Sequence, residues 1–448
     1  MKKRTLSIAL ACAMVVTSYA GCAGAPKDET KTSFVRSAES KQPEATKTID
    51  GKITLKWSVW DINLSPYYQP LINSFEKAHP NVKIEMVDLG SSDYQTVLAT
   101  ELTGSGSDFD VVTVKDVPGY ITLVNKGVLE PLDSYIQSSG VDLNLHKGLK
   151  DQITIDKKLY ELPFRNDFWV VFYNKDIFDK AGISYPTNNM TFEQYDELAR
   201  SLAFDTPGHE VYGSHYHTWR SAIQLFGVLD GKHTILDGEY EFLKPYYEMV
   251  LKEQEDGVIQ DYAGLKTSGL HYSGAFAQGN VAMMNMGTWF ISTLMDKIRS
   301  GEYTDCTNWG IAKYPHAEGV EPGSTIATIT SLAIPVNAPH KDLAWEFINF
   351  VSGKEGAKIL ASTGTIPAVM NSTASDLISR TDGFPKEDKT SVDALNTTKL
   401  YLEMPVNEKN SEIETVLNET HDAIMTGSIS IDSGIAQMNE KISAILDK

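Results

Sequence analysis

The sequence predicts an α/β fold with parallel strands and enough chain for two domains. Strand and helix patterns alternate from about residue 53 to about residue 120, and a second alternating series begins at Leu159. Parallel strands need long crossover connections, usually helices, so this order favours a parallel sheet. The chain has 448 residues, and the roughly 400 that follow the N-terminal segment suffice for two domains that each bury most of their apolar surface.

The first series contains three strands and three helices. Apolar residues at every second position indicate a strand, and apolar residues three and four apart indicate a helix. The predicted elements are a strand with Ile53, Leu55, Trp57 and Val59, a helix with Leu71, Ile72, Phe75 and Ala78, a strand at 82–89, a helix at 93–102, a strand at 110–114 and a helix near Tyr120. This βαβαβ order carries the prediction of a parallel sheet.

The second series is longer and less regular. It contains a strand at 168–173, helices after Lys175 and Thr191, and helical stretches near Ile223 and Tyr246. Residues 326–335 form an apolar run typical of a buried strand, and the residues after it have helical spacing. The predicted apolar helix faces are Leu343, Ala344, Phe347, Ile348 and Val351; Ile413, Val416, Leu417 and Ile424; and Ile435, Met438, Ile442 and Ile445.

The N-terminus has the pattern of an export signal. Three basic residues (Lys2, Lys3, Arg4) precede an apolar run at 6–16 and the small residues Ala20 and Gly21. This pattern predicts a signal peptide over residues 1–21, and the apolar run is too short to span a bilayer. The site resembles a bacterial lipobox, in which the cut precedes a cysteine that becomes lipid-modified, although Tyr19 stands where that pattern usually has leucine.

The mature chain is therefore expected to begin at Cys22, lipidated and held by acyl chains on the extracytoplasmic face of the cell membrane. Residues 22–50 are rich in Lys, Glu, Ser, Thr, Pro and Ala, a composition that cannot bury a core. We expect a disordered tether there, with a reach of roughly 30 Å if it behaves as a flexible coil. The folded domains would begin near Gly51.

Charge, cysteine content and one glycine-rich loop argue against a nucleic-acid partner, an internal disulfide and a nucleotide cofactor. The formal net charge of −19 becomes −22 when the three basic residues leave with the signal, which argues against a nucleic-acid partner. Cys12 would also leave, and Cys22 would be lipidated, so Cys306 remains without a partner for an internal disulfide. The glycine-rich loop at 104–107 lacks the GK[ST] ending of a P-loop and the third glycine of a dinucleotide fingerprint, so no nucleotide cofactor is predicted.

Seven short strings, taken in their order and spacing, resemble family 1 of the extracellular solute-binding proteins of ABC importers, most of which carry sugars. They are LYELPF at 159–164, FYNKDIF at 172–178, KAGI at 180–183, FAQGNVAM at 276–283, GTW at 287–289, AWEF at 344–347 and GTIP at 364–367. The resemblance covers nearly all of residues 51–448. One departure is that no tryptophan lies near Pro405, where many relatives offer one to the ligand.

The resemblance implies a two-lobed, periplasmic-binding-protein-like (type II) fold, with a hinge and a ligand cleft between the lobes. We expect residues 51–163 plus 314–352 in lobe 1 and 164–313 plus 353–448 in lobe 2. It also implies a monomer that captures a carbohydrate without cofactor or metal and delivers it to the permease subunits of an ABC importer. Closure around the ligand would be a population shift, because the ligand contacts both lobes only in the closed form.

Candidate ligand-binding residues lie where strands end. Ligands of open α/β sheets bind beyond the carboxyl ends of the strands, which points to Trp60 and Asp61 and to Asp116. A sugar presents hydroxyls at its rim and C–H groups on its faces, so it needs planar polar groups and aromatic rings. The full predicted set is Trp60, Asp61, Asp116, Arg165, Asn166, Asp167, Trp219 and Trp289, with Arg165 to Asp167 at the first chain crossing and Trp289 as the stacking ring.

Structural roles compete with these assignments. Asp61 and Asp116 could instead cap helices, and Arg165 could pair with a neighbouring carboxylate. Trp57, Trp309 and Trp345 have positions typical of core residues. Tyr246 and Tyr247 are expected on a helix, one at the surface and one in the core. His215 and His217 are spaced so that both could bind one metal ion, but no third ligand is apparent.

Three alternatives for function stay open. A surface glycoside hydrolase would use two of the cleft carboxylates about 5 to 9.5 Å apart. A lectin-like adhesin would bind at an exposed face without lobe closure. The ligand itself could be an acidic or acetylated saccharide, since Arg165 and Arg220 could favour a negative group.

Overall fold

The computed structural model describes residues 48–49, 51–104, 107–146, 148–204, 210–369 and 372–447. The predicted signal peptide, Cys22 and the predicted tether up to residue 47 lie outside these residues. Within the described part, no helix combines the length and the apolar character that a membrane crossing requires.

Ten strands and eighteen α-helices are present in the described residues. The strands are β1 Thr48–Ile49, β2 Lys52–Val59, β3 Val82–Asp88, β4 Val111–Val114, β5 Leu162–Asn174, β6 Tyr212–His215, β7 Val281–Gly287, β8 Trp309–Lys313, β9 Ser324–Ala333 and β10 Lys399–Leu402. The helices that precede residue 260 are α1 Tyr68–Ala78, α2 Tyr94–Thr103, α3 Val117–Asn125, α4 Asp133–Ser139, α5 Leu149–Ile153, α6 Lys175–Ala181, α7 Phe192–Leu202, α8 Ser221–Val228 and α9 Lys244–Glu255. The later helices are α10 Tyr262–Ser268, α11 Tyr272–Ala277, α12 Trp289–Arg299, α13 Lys341–Val351, α14 Lys354–Ser362, α15 Ser372–Arg380, α16 Lys389–Ala394, α17 Asn410–Met425 and α18 Ile431–Leu446.

The first lobe is built on a sheet with the strand order β3-β2-β4-β9. Strand β2 pairs in parallel with β3 and with β4, placing Trp57 opposite Met86 and Val111. The predicted parallel βαβαβ unit is therefore present. Strand β9 then pairs antiparallel with β4, with Thr113 opposite Leu332, so the complete sheet is mixed. The predicted helix face of α1 is buried at Leu71, Ile72 and Phe75, while Ala78 is exposed.

The second lobe is built on a sheet with the order β8-β5-β7-β6, and it shares β5 with the first. Residues 162–168 of β5 pair with β9, and residues 169–174 pair with β7 and β8. The β5–β9 register shifts between Pro163 and Arg165, where the proline has no N–H to donate. On the other edge, the Ala368 N–H donates to the Phe164 carbonyl at 2.8 Å. One continuous strand thus carries the chain from lobe to lobe.

Hydrophobic residues cover both faces of each sheet. In the first lobe, Leu55 and Trp57 pack with Phe347, and Val112 packs with Leu98 and Tyr120 on the opposite side. In the second lobe, Val171 and Phe172, adjacent on β5, belong to two different clusters. This alternation follows from the period of two along a strand. Strands buried on both faces are typical of α/β proteins.

The tryptophans predicted to be core are core. Trp57, Trp309 and Trp345 are all buried, and the Trp57 Nε1–H donates to Thr113 Oγ1 at 2.8 Å. Tyr247 is fully buried in α9 and its neighbour Tyr246 is partly buried, as the helical pattern predicts. The division into 51–163 plus 314–352 for lobe 1 and 164–313 plus 353–448 for lobe 2 stays a prediction.

Candidate functional site

A cavity of about 300 Å³ lies between the two lobes, at the ends of the strands. The first lobe contributes Trp60 and Asp61 from the end of β2, and Lys115 and Asp116 from the end of β4. The lining also includes Tyr67, Arg165, Trp169, Trp219, Arg220, His271, Tyr272, Trp289, Thr293, Glu403 and Glu414. The carboxyl-end rule applied to β2 and β4 therefore selects residues that do line the cavity.

The second-lobe wall of the cavity is aromatic. The rings of Trp219 and Trp289 have centroids 6.3 Å apart, and each meets a third ring: Tyr272 lies 5.6 Å from Trp219, and Trp169 lies 5.7 Å from Trp289. Trp219 and Trp289 are partly exposed, whereas Trp169 and Tyr272 are buried. The two partly exposed rings thus present apolar surface to the cavity, supported from behind by the buried ones.

Trp289 depends on a glycine for its position. It is the first residue of α12, and it follows the last residue of β7, Gly287, by two positions. A Cβ at Gly287 would lie 2.1 Å from a ring atom of Trp289, far inside van der Waals contact. The GTW string at 287–289 therefore has a packing reason, because the ring lies directly against the glycine backbone.

The first-lobe wall centres on Trp60, which is 7% exposed. Its ring packs on Tyr94 at 4.7 Å, and two cations lie near it: Lys115 Nζ at 5.4 Å and the Arg165 guanidinium at 5.9 Å. Burial lowers the pKa of Lys115, although nearby Asp116 and Asp61 oppose that shift. Lys115 Nζ also donates to the Ser91 carbonyl at 2.8 Å, which holds the amine across the cavity edge.

The two first-lobe aspartates differ in their roles. Asp61 has φ +51°, a left-handed conformation that aspartate tolerates better than most residues, and its carbonyl accepts from the Leu64 and Ser65 N–H groups. It caps no helix, since α1 begins at Tyr68 after Tyr67. Asp116 does cap α3: its carboxylate accepts from the Gly119 N–H at 2.9 Å and from Gln95 Nε2 at 3.1 Å. Burial raises the pKa of Asp116, whose side chain borders the cavity as well.

Of the three residues predicted at the chain crossing on β5, Arg165 lines the cavity, whereas Asn166 and Asp167 do not. Arg165 lines it, packs 5.1 Å from the Tyr67 ring and donates to Thr330 Oγ1 at 3.3 Å. Asp167 is fully buried, accepts from Thr288 Oγ1 at 2.9 Å and places its other oxygen 3.7 Å from Arg165 Nε. Burial raises the pKa of Asp167, and Arg165 opposes the shift. Asn166 and Asp167 are absent from the cavity lining, and ligand contact by any of the eight predicted residues stays a prediction.

An ion-pair cluster that sequence reasoning missed closes one side of the cavity. Arg220 Nε donates to Glu414 Oε1 at 3.0 Å, a second guanidinium nitrogen meets Glu414 Oε2, and Glu403 lies 3.7 Å away. Arg220 and Glu414 are 194 residues apart, so no local pattern could connect them. Tyr272 and His271 were also missed, because a single Tyr at a helix start carries no distinguishing signal.

The pH dependence of stability should report on Glu403. Burial raises its pKa to about 7, with Arg220 opposing the shift. A carboxyl whose pKa is higher in the folded state stabilises the fold when protonated, and this contribution is lost as the pH rises from about 4.5 to about 7. Glu403→Gln should therefore flatten the decline in the free energy of unfolding over that range, by on the order of 2 kcal/mol, in urea titrations at several pH values.

The control for this measurement is Glu408→Gln, at an exposed position in the same loop. It should leave the pH profile as in the parent chain. A Glu403→Gln profile parallel to that of the parent would contradict the assignment.

The histidines near the cavity form no metal centre in the described residues, where no group of three or more potential ligands converges. His215 Nδ1 lies 2.8 Å from Gln260 Oε1, and burial lowers the pKa of His215 to about 4. The His217 ring packs on Trp219 at 4.5 Å, and burial lowers the pKa of His217 to about 2. Both imidazoles are therefore neutral at physiological pH, and His217 supports the aromatic wall through its contact with Trp219.

Comparison with known proteins places this architecture among extracellular binding proteins. Residues 61–358 match the family model "Bacterial extracellular solute-binding protein". A crystal structure of a sugar transporter from Rhizobium etli, in an open conformation, is 51% identical, with a TM-score of 0.72 over 88% of this chain and 99% of that one.

Two more distant relatives are also binding proteins. The mannitol-binding protein of Pseudomonas aeruginosa is 24% identical over 395 residues, which are 82% of this chain and 87% of that protein. An ABC substrate-binding protein from Listeria monocytogenes, solved in complex with cycloalternan, has a TM-score of 0.73 at 21% identity, over 88% of this chain and 99% of that one. This last likeness supports the two-lobed type II fold.

Proposed function

Because this chain belongs to the family of bacterial extracellular solute-binding proteins, we propose that it captures a carbohydrate between its lobes and delivers it to the permease of an ABC importer. One observation carries the choice of carbohydrate: an aromatic wall of Trp219 and Trp289 faces a first lobe that offers Asp61, Lys115 and Arg165. Rings stack on the C–H faces of a sugar, and the polar groups bond its hydroxyls. The name of the Rhizobium etli relative, a sugar transporter, agrees with this choice.

The charge arrangement favours a neutral saccharide over an acidic one. Arg220 is buried and already paired with Glu414 and Glu403, so its charge is compensated before any ligand arrives. Arg165 has Asp167 beneath it. Hydrogen bonds to charged groups contribute about 1.5 to 3 kcal/mol each, so three of them with one stacked ring can supply the roughly 8 kcal/mol of a micromolar complex.

The proposal includes capture without catalysis, by a lipid-anchored monomer outside the cytoplasm. The lipid anchor is inferred from Cys22 and the signal pattern before it. The absence of catalysis is inferred from the family, whose compared members are binding proteins. A ligand held by stacking and hydrogen bonds needs no nucleophile or metal. A hydrolase would use the same carboxylates to release reducing ends from an oligosaccharide in proportion to added protein.

A glycan panel in a thermal-shift assay tests the function directly. A true ligand at 100 times its dissociation constant should stabilise the protein by about 2.7 kcal/mol, and calorimetry should then give saturable binding. Recovery of unchanged ligand after prolonged incubation supports capture. If no saccharide raises the melting temperature, or if reducing ends accumulate, the proposal fails.

Closure can be tested at a hydrogen bond that joins the lobes. Thr293 of α12 in the second lobe donates its hydroxyl to the carbonyl of Leu64 in the first lobe, at 2.6 Å. Thr293→Val removes the donor at nearly constant volume and leaves that carbonyl without its partner. We expect affinity for the ligand to fall about 5-fold, equivalent to about 1 kcal/mol for one hydrogen bond, and the ligand-induced decrease in the radius of gyration to be smaller.

Thr267→Val is the matched control, since the Thr267 hydroxyl donates within its own helix, to the Ala263 carbonyl. Its affinity should equal that of the parent chain. An unchanged affinity in Thr293→Val, measured by calorimetry, would show that the bond does not favour the closed form.

A further inference from the structure

A second cavity, of about 500 Å³, adjoins the cavity lined by Trp219 and Trp289, which we call the aromatic cavity. Helices α2 and α3 form one of its walls, and β9, β10 and α17 form the other. Eight residues line both cavities, among them Gln95, Asp116, Thr328 and Glu403. The two spaces therefore meet along a shared border of polar side chains.

The two cavities differ in chemistry. The aromatic cavity has tryptophans and tyrosines on both walls, whereas the described residues that line the second cavity include no aromatic side chain. Hydroxyl groups are frequent there instead, from Thr100 and Thr103 on α2, Thr122 on α3, and Ser411 and Thr415 on α17. We call this second space the polar cavity. It offers hydrogen bonds without a stacking surface.

Two carboxylates lie at the border between the cavities, and one of them is held in place by Gln95. Gln95 Nε2 donates to the carboxylate of Asp116 at 3.1 Å, which fixes the direction of the amide. The other end of that amide, Oε1, is buried and has no hydrogen-bond partner. The amide lies against Gly119, where a Cβ would come 2.6 Å from Oε1, so this oxygen is covered and Gln95 acts by orienting the Asp116 carboxylate. Asp116 and Glu403, on opposite sides of the border, supply the carboxylate acceptors.

We propose that the ligand is an oligosaccharide of at least two units, with one unit stacked in the aromatic cavity and the next in the polar cavity, donating hydroxyls to Asp116 and Glu403. This inference rests on the proposed function. A ligand confined to the aromatic cavity would leave the larger space and its acceptors unfilled. Ligand sites commonly span about 300 to 1,000 Å³, and the aromatic cavity alone stands at the lower limit.

The test uses two saccharide series and one blocking variant. Calorimetry compares glucose with maltose and maltotriose, and mannose with mannobiose and mannotriose. In the parent chain, affinity should rise at least about 10-fold from the monosaccharide to the disaccharide of the series that binds. Thr415→Trp fills the polar cavity from an exposed position that does not line the aromatic cavity. It should abolish the gain with length and keep the monosaccharide affinity within about twofold.

Thr415→Ser is the matched control and should retain the gain. Thr100→Trp introduces the same block from the opposite wall, at an exposed position on α2, in case Thr415→Trp does not fold. A monosaccharide that binds as tightly as its oligomers overturns the inference and leaves the proposed function intact. So does a gain with length that persists in a folded blocking variant. Failure of both series and of the glycan panel to bind overturns the proposed function itself.

Discussion

Trp289→Ala is expected to lower the affinity for the saccharide about 30- to 100-fold while the protein remains folded. The ring is partly exposed at the cavity and its loss removes the stacking surface from the second-lobe wall. Truncating a central aromatic residue of a binding site costs 2 kcal/mol or more, which corresponds to this range of affinity. Calorimetric titration with the best saccharide of the panel measures the effect.

Trp309→Phe is the matched control, because Trp309 is a buried tryptophan that does not line the cavity. It should lower the free energy of unfolding and leave the affinity unchanged. Urea denaturation of both variants separates the two effects. If Trp289→Ala loses stability and binding in the same proportion as a core substitution, Trp289 is a structural residue and the stacking role is wrong.

Asp167→Ala should lower the free energy of unfolding by about 3 kcal/mol. The carboxylate is fully buried between Thr288 and Arg165, and removing it leaves a buried guanidinium without its nearest counter-charge. Breaking a buried pair costs about 3 to 5 kcal/mol. The lower end applies because burial raises the pKa of Asp167, so the ionised carboxylate is itself costly to hold there. Urea unfolding followed by fluorescence measures the change.

Two comparison variants give this result its meaning. Asp167→Asn keeps an oxygen that can accept from Thr288 and loses only the charge, so it should be destabilised less than Asp167→Ala. Glu255→Ala breaks the exposed ion pair between Glu255 and Lys252, and should change stability by at most about 0.5 kcal/mol. A loss of less than 1 kcal/mol in Asp167→Ala would mean that the pair does not hold Arg165 in place.

The strands and helices with strong periodicity were predictable from the sequence alone. The apolar alternation in β2 and the helical spacing in α1, α13, α17 and α18 correspond to elements of the structure. The N-terminal βαβαβ order gave the correct parallel pairing of β2, β3 and β4. These features are local, since a period of two or 3.6 residues decides which side chains share a face.

The sheet pairings of the second half were not predictable in the same way. Strand β5 has 13 residues and belongs to two sheets, and β9 pairs antiparallel with both β4 and β5. The sequence of a strand does not identify the strand with which it pairs, because every backbone offers the same N–H and C=O groups. The register shift beside Pro163 then decides where each side chain of β5 is aimed.

For the candidate site, the rule that ligands bind beyond strand ends located Trp60, Asp61 and Asp116, and six of the eight predicted residues line the cavity. The remaining features depend on how distant parts of the chain pack together. Arg165 and Asp167 share a strand face, but the short carboxylate ends beneath Thr288 while the long guanidinium reaches the cavity. Arg220 is compensated by a glutamate 194 residues away, and the polar cavity is formed by helices from separate parts of the chain. Local periodicity determines which way the side chains of one element point, whereas the distances between side chains of different elements depend on how the chain packs.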